Sequence, residues 1–173
     1  MRQSVVCGVD GSKGASGAVR FARTLSDSLG LRLVVVNVTD VPMVSPRSAH
    51  HFYTELRAIA LDAGEELLDW ICETEGLSEE VVRRVELGDP AERLAAVSDE
   101  EKAELLVVGS RGRGRLTSAI LGSVSADLAR SARCPVAIVP DRSADSPQRP
   151  EGREVGASRH GRSWPSQAHL GGG

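Results

Sequence analysis

Aromatic residues are scarce: they make up 3% of the chain, with two Trp, two Phe and one Tyr. Stacking platforms for single-stranded nucleic acid are therefore lacking. A formal net charge of −3 also offers no general basic surface, so no nucleic-acid partner is expected. Cysteine is equally sparse. Cys7, Cys72 and Cys134 are far apart, odd in number and without metal-ligand spacing. They read as reduced, packed thiols of a cytoplasmic protein. No apolar run approaches the ~18–20 residues of a membrane span, so no membrane partner is expected. The opening MRQSVVCGVDGS enters a strand at once, and no secretory signal is expected there.

A catalytic set is missing as well. His50 and His51 fall in a variable loop, His160 and His169 in a tail, and no Ser-His-Asp or Cys-His order stands out. The chain has no G-x4-G-K-[ST] phosphate loop, because Lys13 has no suitable glycine before it. The first strand-to-helix turn reads Gly8-Val9-Asp10-Gly11-Ser12. It lacks the G-x-G-x-x-G spacing and puts a carboxylate where a pyrophosphate would sit, which argues against NAD or FAD bound in the usual manner.

What remains is ordinary for a globular domain: 40% hydrophobic and 26% charged residues in 173, one domain's worth with a tail. Ser4 to Val9 is a short apolar strand. Ala15, Ala18, Val19, Ala22, Leu25 and Leu29 then recur at helical spacing, with Ser12 as N-cap and Gly30 as stop. Leu31 to Val38 is a second buried strand, Thr39 to His51 a loop around Pro42 and Pro46, and Phe52 to Ile71 a long helix ending near Gly76. Val81 to Leu87 is a third strand. Asp89-Pro90-Ala91-Glu92 starts a third helix reaching about Lys102, with Asp as cap and Pro at the first position. Leu105 to Val108 is the fourth strand, Val124 to Ala132 the fourth helix, and Pro135 to Val139 the fifth strand. Strands alternating with helices imply an α/β fold, a doubly wound, Rossmann-like, five-stranded parallel sheet with helices on both faces.

The chain is organised around Leu105 to Ser125, LLVVGSRGRGRLTSAILGSVS. A buried strand leads into a glycine-rich loop and then a helix N-terminus, which presents unpaired N–H groups and the positive end of the helix dipole to an anion. Gly109, Gly112 and Gly122-Ser123 give the spacing G-x2-G-x9-G-S. Together with the Asp10 turn, the Gly88-Asp89-Pro90 step and the closing PVAIVP, this resembles the ATP-binding branch of the universal stress protein family over residues 1 to 140. The resemblance implies strand order 3-2-1-4-5, with a switch-point crevice between the carboxyl ends of strands 1 and 4. It implies ATP as ligand, with a regulatory role in the stress response. A slow ATPase or adenylyl-transferring enzyme, and a cyclic-AMP-binding variant, are the other readings.

Site residues follow from both lines. Phosphates are expected over Gly109, Gly112 and Gly122, with Ser123 offering N–H and hydroxyl, and Val124 and Ser125 extending that turn. Ser123 as a plain helix cap would use the same geometry. One or two of Arg111, Arg113 and Arg115 are expected to reach phosphate, with Arg115 the best placed to be merely solvated. Asp10 is left to meet the adenosine end or a bound magnesium, or else is a turn aspartate. By resemblance, Val38 lines the adenine pocket, and Gly8, Val9 and Val108 form its walls; plain core packing is the alternative for Val38. Strand 5 would be an apolar edge, inviting a homodimer. Residues 141–173, rich in Pro, Ser, Gly and Arg, read as a disordered tail.

Overall fold

The computed structural model describes residues 3–40, 49–110 and 121–140. The fold is built on five strands, β1 (Ser4–Val9), β2 (Arg32–Thr39), β3 (Val82–Leu87), β4 (Ala103–Gly109) and β5 (Val136–Val139). They pair in the order β3-β2-β1-β4-β5, every pair parallel. The three inner strands carry the unbroken apolar runs, and all six residues of β1 are buried. That pattern suits a parallel sheet covered on both faces.

Four helices supply the cover: α1 (Lys13–Leu29), α2 (Ala49–Thr74), α3 (Pro90–Glu100) and α4 (Ser123–Ser131). Val5, Cys7, Val9 and Val35 pack against Ala18, Val19 and Ala22 of α1 and Leu67, Leu68 and Ile71 of α2. On the opposite face Val6, Val34, Val36, Leu106 and Val108 pack against Leu94 and Val97 of α3 and Leu128 of α4. Each fully buried Leu or Ile contributes about 1.5–3 kcal/mol relative to an exposed one.

The expected punctuation holds at two helices. Ser12 Oγ accepts from the Ala15 N–H (3.3 Å) at the start of α1. Gly30, with φ of 65°, ends it. Asp89 Oδ1 accepts from the Glu92 N–H (3.0 Å) ahead of Pro90 in α3.

Elsewhere the boundaries move. Helix α2 begins at Ala49, inside the stretch taken as loop, and α3 stops at Glu100 rather than Lys102. Lys102 has φ of 51° and turns the chain back toward the sheet. Strand β4 opens at Ala103, paired with Ser4 of β1, two residues before the apolar run. Pro135 precedes β5 instead of joining it, as a residue without an N–H tends to do. The tail, residues 141–173, lies outside the described residues.

Edge strand β3 is treated differently on its two faces. Val85 packs into the α1/α2 core. On the α3 face Arg84 bonds Glu86 (2.6 Å), Glu100 (2.8 Å) and Glu101 (3.0 Å). Arg93 also meets Glu86 (2.6 Å), and Arg32 meets Glu101 (2.8 Å). Burial pushes the Glu86 carboxyl upward, but hydrogen bonds from Arg93 and Arg84 outweigh it and hold the group below the usual carboxylate range.

Candidate functional site at the sheet switch point

Strand order reverses between β1 and β4, so their carboxyl ends open a crevice. On the β1 side the chain leaves through Asp10, Gly11 and Ser12. Gly11 has φ of 77°, a conformation costly for any residue with a side chain. The Ser12 N–H donates to Asp10 Oδ1 (3.0 Å), closing an Asx-type turn. Asp10 thus takes part in the turn through Oδ1, and the residue is partly exposed.

On the β4 side the Ser110 N–H donates to the Val139 carbonyl (2.8 Å), and the Gly122 N–H donates to the Ser110 carbonyl (2.9 Å). The Ser125 hydroxyl donates to the Gly122 carbonyl (3.0 Å) and lies 3.5 Å from that of Ser110. These bonds hold the start of α4 against the end of β4. Gly122 is the N-cap, no side chain among the described residues caps the helix, and its first turn holds no acidic residue. In α1 and α3 a side chain occupies that position; in α4 it is left to the backbone, as an anion site requires. Ser123 is exposed at the first helical position, whereas Ser125 is buried. The Ser125 hydroxyl is thus directed into the stem and its contribution to an anion would come from the backbone. Arg111, Gly112, Arg113 and Arg115 lie outside the described residues.

The expected pocket walls divide between the two faces. Gly8, Val38 and Val108 face the α3/α4 layer, while Val9 is buried in the α1/α2 layer. A Cβ on Gly8 would stand 2.8 Å from Leu94 Cδ1 and 3.2 Å from Val108 Cγ1. The absence of a side chain here lets α3 seat on the sheet. One residue beside the site was not singled out from the sequence. Asn37, 5% exposed, donates from Nδ2 to the Val9 carbonyl (2.9 Å). A lone amide inside an apolar strand was the available signal.

The three thiols are shifted by burial. Burial pushes Cys7 up to about 12, and burial is also the leading cause raising Cys72 and Cys134. Among the described residues no group of three or more His, Cys, Asp or Glu could hold a metal, and no helix is long and apolar enough to cross a membrane. An open depression of about 380 Å³, lined by Asp69, Cys72, Leu77 and Arg83 among others, lies where α2 leads into β3, away from Asp10 and Gly122.

A doubly wound parallel sheet with an Asx turn after its first strand and a glycine N-cap on the helix after its fourth defines a Rossmann-like protein with a crevice at the switch point. The model of the universal stress protein family matches residues 1–140, and the chain belongs to that family. A universal stress protein of Mycolicibacterium smegmatis is 34% identical over 145 residues, covering 82% of this chain and 47% of that protein. One from Thermus aquaticus is 30% identical over 139 residues, covering 80% of this chain and 99% of that one. The chain spans about half the length of the mycobacterial relatives it matches. A solved structure of a universal stress protein in complex with cAMP aligns with a TM-score of 0.56 at 27% identity, covering 80% of this chain and 97% of that one.

Proposed function

We propose that this chain is an ATP-binding regulatory module of the stress response, acting in the cytoplasm. The observation that carries the reading is the stem at the switch point. Gly109-Ser110 and Gly122-Ser123 are bonded together so that the uncapped N-terminus of α4 opens beside the end of β4. The glycine spacing of the motif brackets this stem. Phosphates take the N–H groups of Ser123, Val124 and Ser125, with Gly112 and Arg111 contributed by the segment between Ser110 and Leu121. The adenosine end lies toward Asp10 and the walls Gly8, Val38 and Val108, with the buried Val9 side chain supporting the turn from the α1/α2 face.

Magnesium fits only in a limited form. It is commonly held by one or two carboxylates together with substrate phosphates. Asp10 is the carboxylate at the crevice, so it would share the ion with the phosphates of the nucleotide. The ion would neutralise phosphate charge near Asp10, which otherwise repels it.

Mass spectrometry of the nucleotide released from purified protein is expected to show an adenine nucleotide. Isothermal titration should then give ATP binding that is lost in Gly122→Glu, whose side chain and charge enter the phosphate site, while circular dichroism stays native. Unchanged affinity in that variant would refute the phosphate assignment. The 27%-identical structure with cAMP favours one second reading, a cyclic-AMP-binding variant, which the same titration distinguishes by a preference for cAMP over ATP. Turnover with magnesium is expected far below the ~10 per second of a typical enzyme; a rate near that value would make the chain an ATPase.

A further inference from the structure

Asn37 is the single polar residue in the buried run Leu33–Asn37. An apolar side chain would fill that place without cost, whereas a buried amide is unfavourable unless hydrogen-bonded. Its Nδ2 reaches the Val9 carbonyl at 2.9 Å, alongside the final Val9–Asn37 rung of the β1–β2 pairing. Helix α2 passes the other end of the amide at Gly64, where an added Cβ would stand 3.1 Å from Asn37 Oδ1 and 2.5 Å from Val85 Cγ1. The amide thus lies between a helix and a strand end. Chain order gives that placement its meaning. The Val9 carbonyl belongs to the peptide that leads into Asp10, and Asn37 immediately precedes Val38.

We propose that Asn37 is a positioning residue for the adenosine half of the site: its bond to the Val9 carbonyl ties the ends of β1 and β2 together and sets the peptide from which the Asp10 turn departs. The inference rests on the nucleotide reading above. It separates the site into two parts with different supports. Phosphates depend on the Ser110–Gly122 stem, and adenosine depends on the Asn37 tie.

Titration of wild type, Asn37→Leu and Asn37→His with ATP and with inorganic triphosphate tests this. Asn37→Leu keeps an apolar filling and removes the donor. ATP affinity is expected to fall several-fold, by at most about tenfold, the ceiling set by one hydrogen bond, with triphosphate affinity unchanged. In Asn37→His a ring N–H replaces the amide donor at the same remove from the backbone, and ATP affinity should return to near wild type. Unchanged ATP affinity in Asn37→Leu, equal weakening of both ligands, or failure of Asn37→His to restore binding would each overturn the proposal. Should Asn37→Leu not fold, the side-chain amide signals of Asn37 in ¹⁵N-labelled wild type decide. They should shift with ATP and stay still with triphosphate, and stillness with both would overturn it. A wild type that binds neither ligand refutes the nucleotide reading itself, and this inference with it.

Discussion

Two helical glycines show how much a single hydrogen atom decides. A Cβ on Gly64 would stand 2.5 Å from Val85 Cγ1, whereas one on Gly17 would meet only Val139 Cγ1, at 3.8 Å. Alanine gains about 1 kcal/mol over glycine inside a helix, and forced overpacking costs about 1–3 kcal/mol. At Gly17 only the gain operates. At Gly64 the clash with a branched, half-buried neighbour outweighs it. Gly17→Ala is therefore expected to raise the melting temperature by a few degrees, and Gly64→Ala to lower it. Thermal unfolding followed by circular dichroism checks both, and a Gly64→Ala variant as stable as wild type would show that α2 can lift without cost. Neither contact was legible in the sequence, where both glycines appear as weak points of a helical pattern. Asp10 was legible as a turn or site residue, because a carboxylate after the first strand is chemically out of place for a pyrophosphate loop. Asn37 was not, since its partner is a backbone carbonyl 28 residues away.

Among the elements, β3 shows how an edge strand is managed with charge. Glu86 accepts from Arg84 and Arg93 on the α3 face. Its folded-state carboxyl is held below the ordinary range, about 4.3 for an unfolded glutamate. A carboxyl depressed in the folded state contributes stability that is complete above the unfolded value and is lost as pH falls through the folded one. Urea unfolding at constant ionic strength should therefore give a midpoint that does not depend on Glu86 titration near neutrality and that declines in acid. Glu86→Gln should shallow that acid decline; an unaltered acid limb would show that Glu86 does not contribute to it. Sequence reading found the strand but not this network, because its members come from β2, β3 and α3. Helix starts at Ser12 and Asp89 were legible because cap, turn and periodicity lie within a few residues. The start of α2 was missed for the opposite reason: Pro42 and Pro46 drew the loop boundary too far along the chain.

Across the whole molecule the two sheet edges are unequal. The β3 edge carries the Arg84–Glu86–Arg93 network, while β5 presents Val136–Val139 with no charged side chain. Parallel pairing to β4 uses only one side of β5. We propose that a second copy pairs antiparallel along the other side, giving the two-fold homodimer that an edge without charged side chains favours. Ala137→Pro removes a donor in mid-strand, and light scattering should show it shifted toward monomer. A wild type already monomeric at high micromolar concentration would rule the interface out. The α/β alternation that sets the architecture was fully legible. Strand order came from the family resemblance, because periodicity reports which faces are buried and says nothing of which strands are neighbours.

The position of β1 at the middle of the sheet has a consequence for how the chain is made. Val5 pairs with Leu33 on one side and with Leu105 on the other, about 100 residues later. At roughly 5–20 residues per second of synthesis, β1 and β2 wait several seconds for β4 to leave the ribosome. Throughout that interval VVCGV has an open flank and half of its cover. The most buried strand of the finished protein is thus the last to be fully covered in the nascent one, where exposed apolar surface is prone to aggregate.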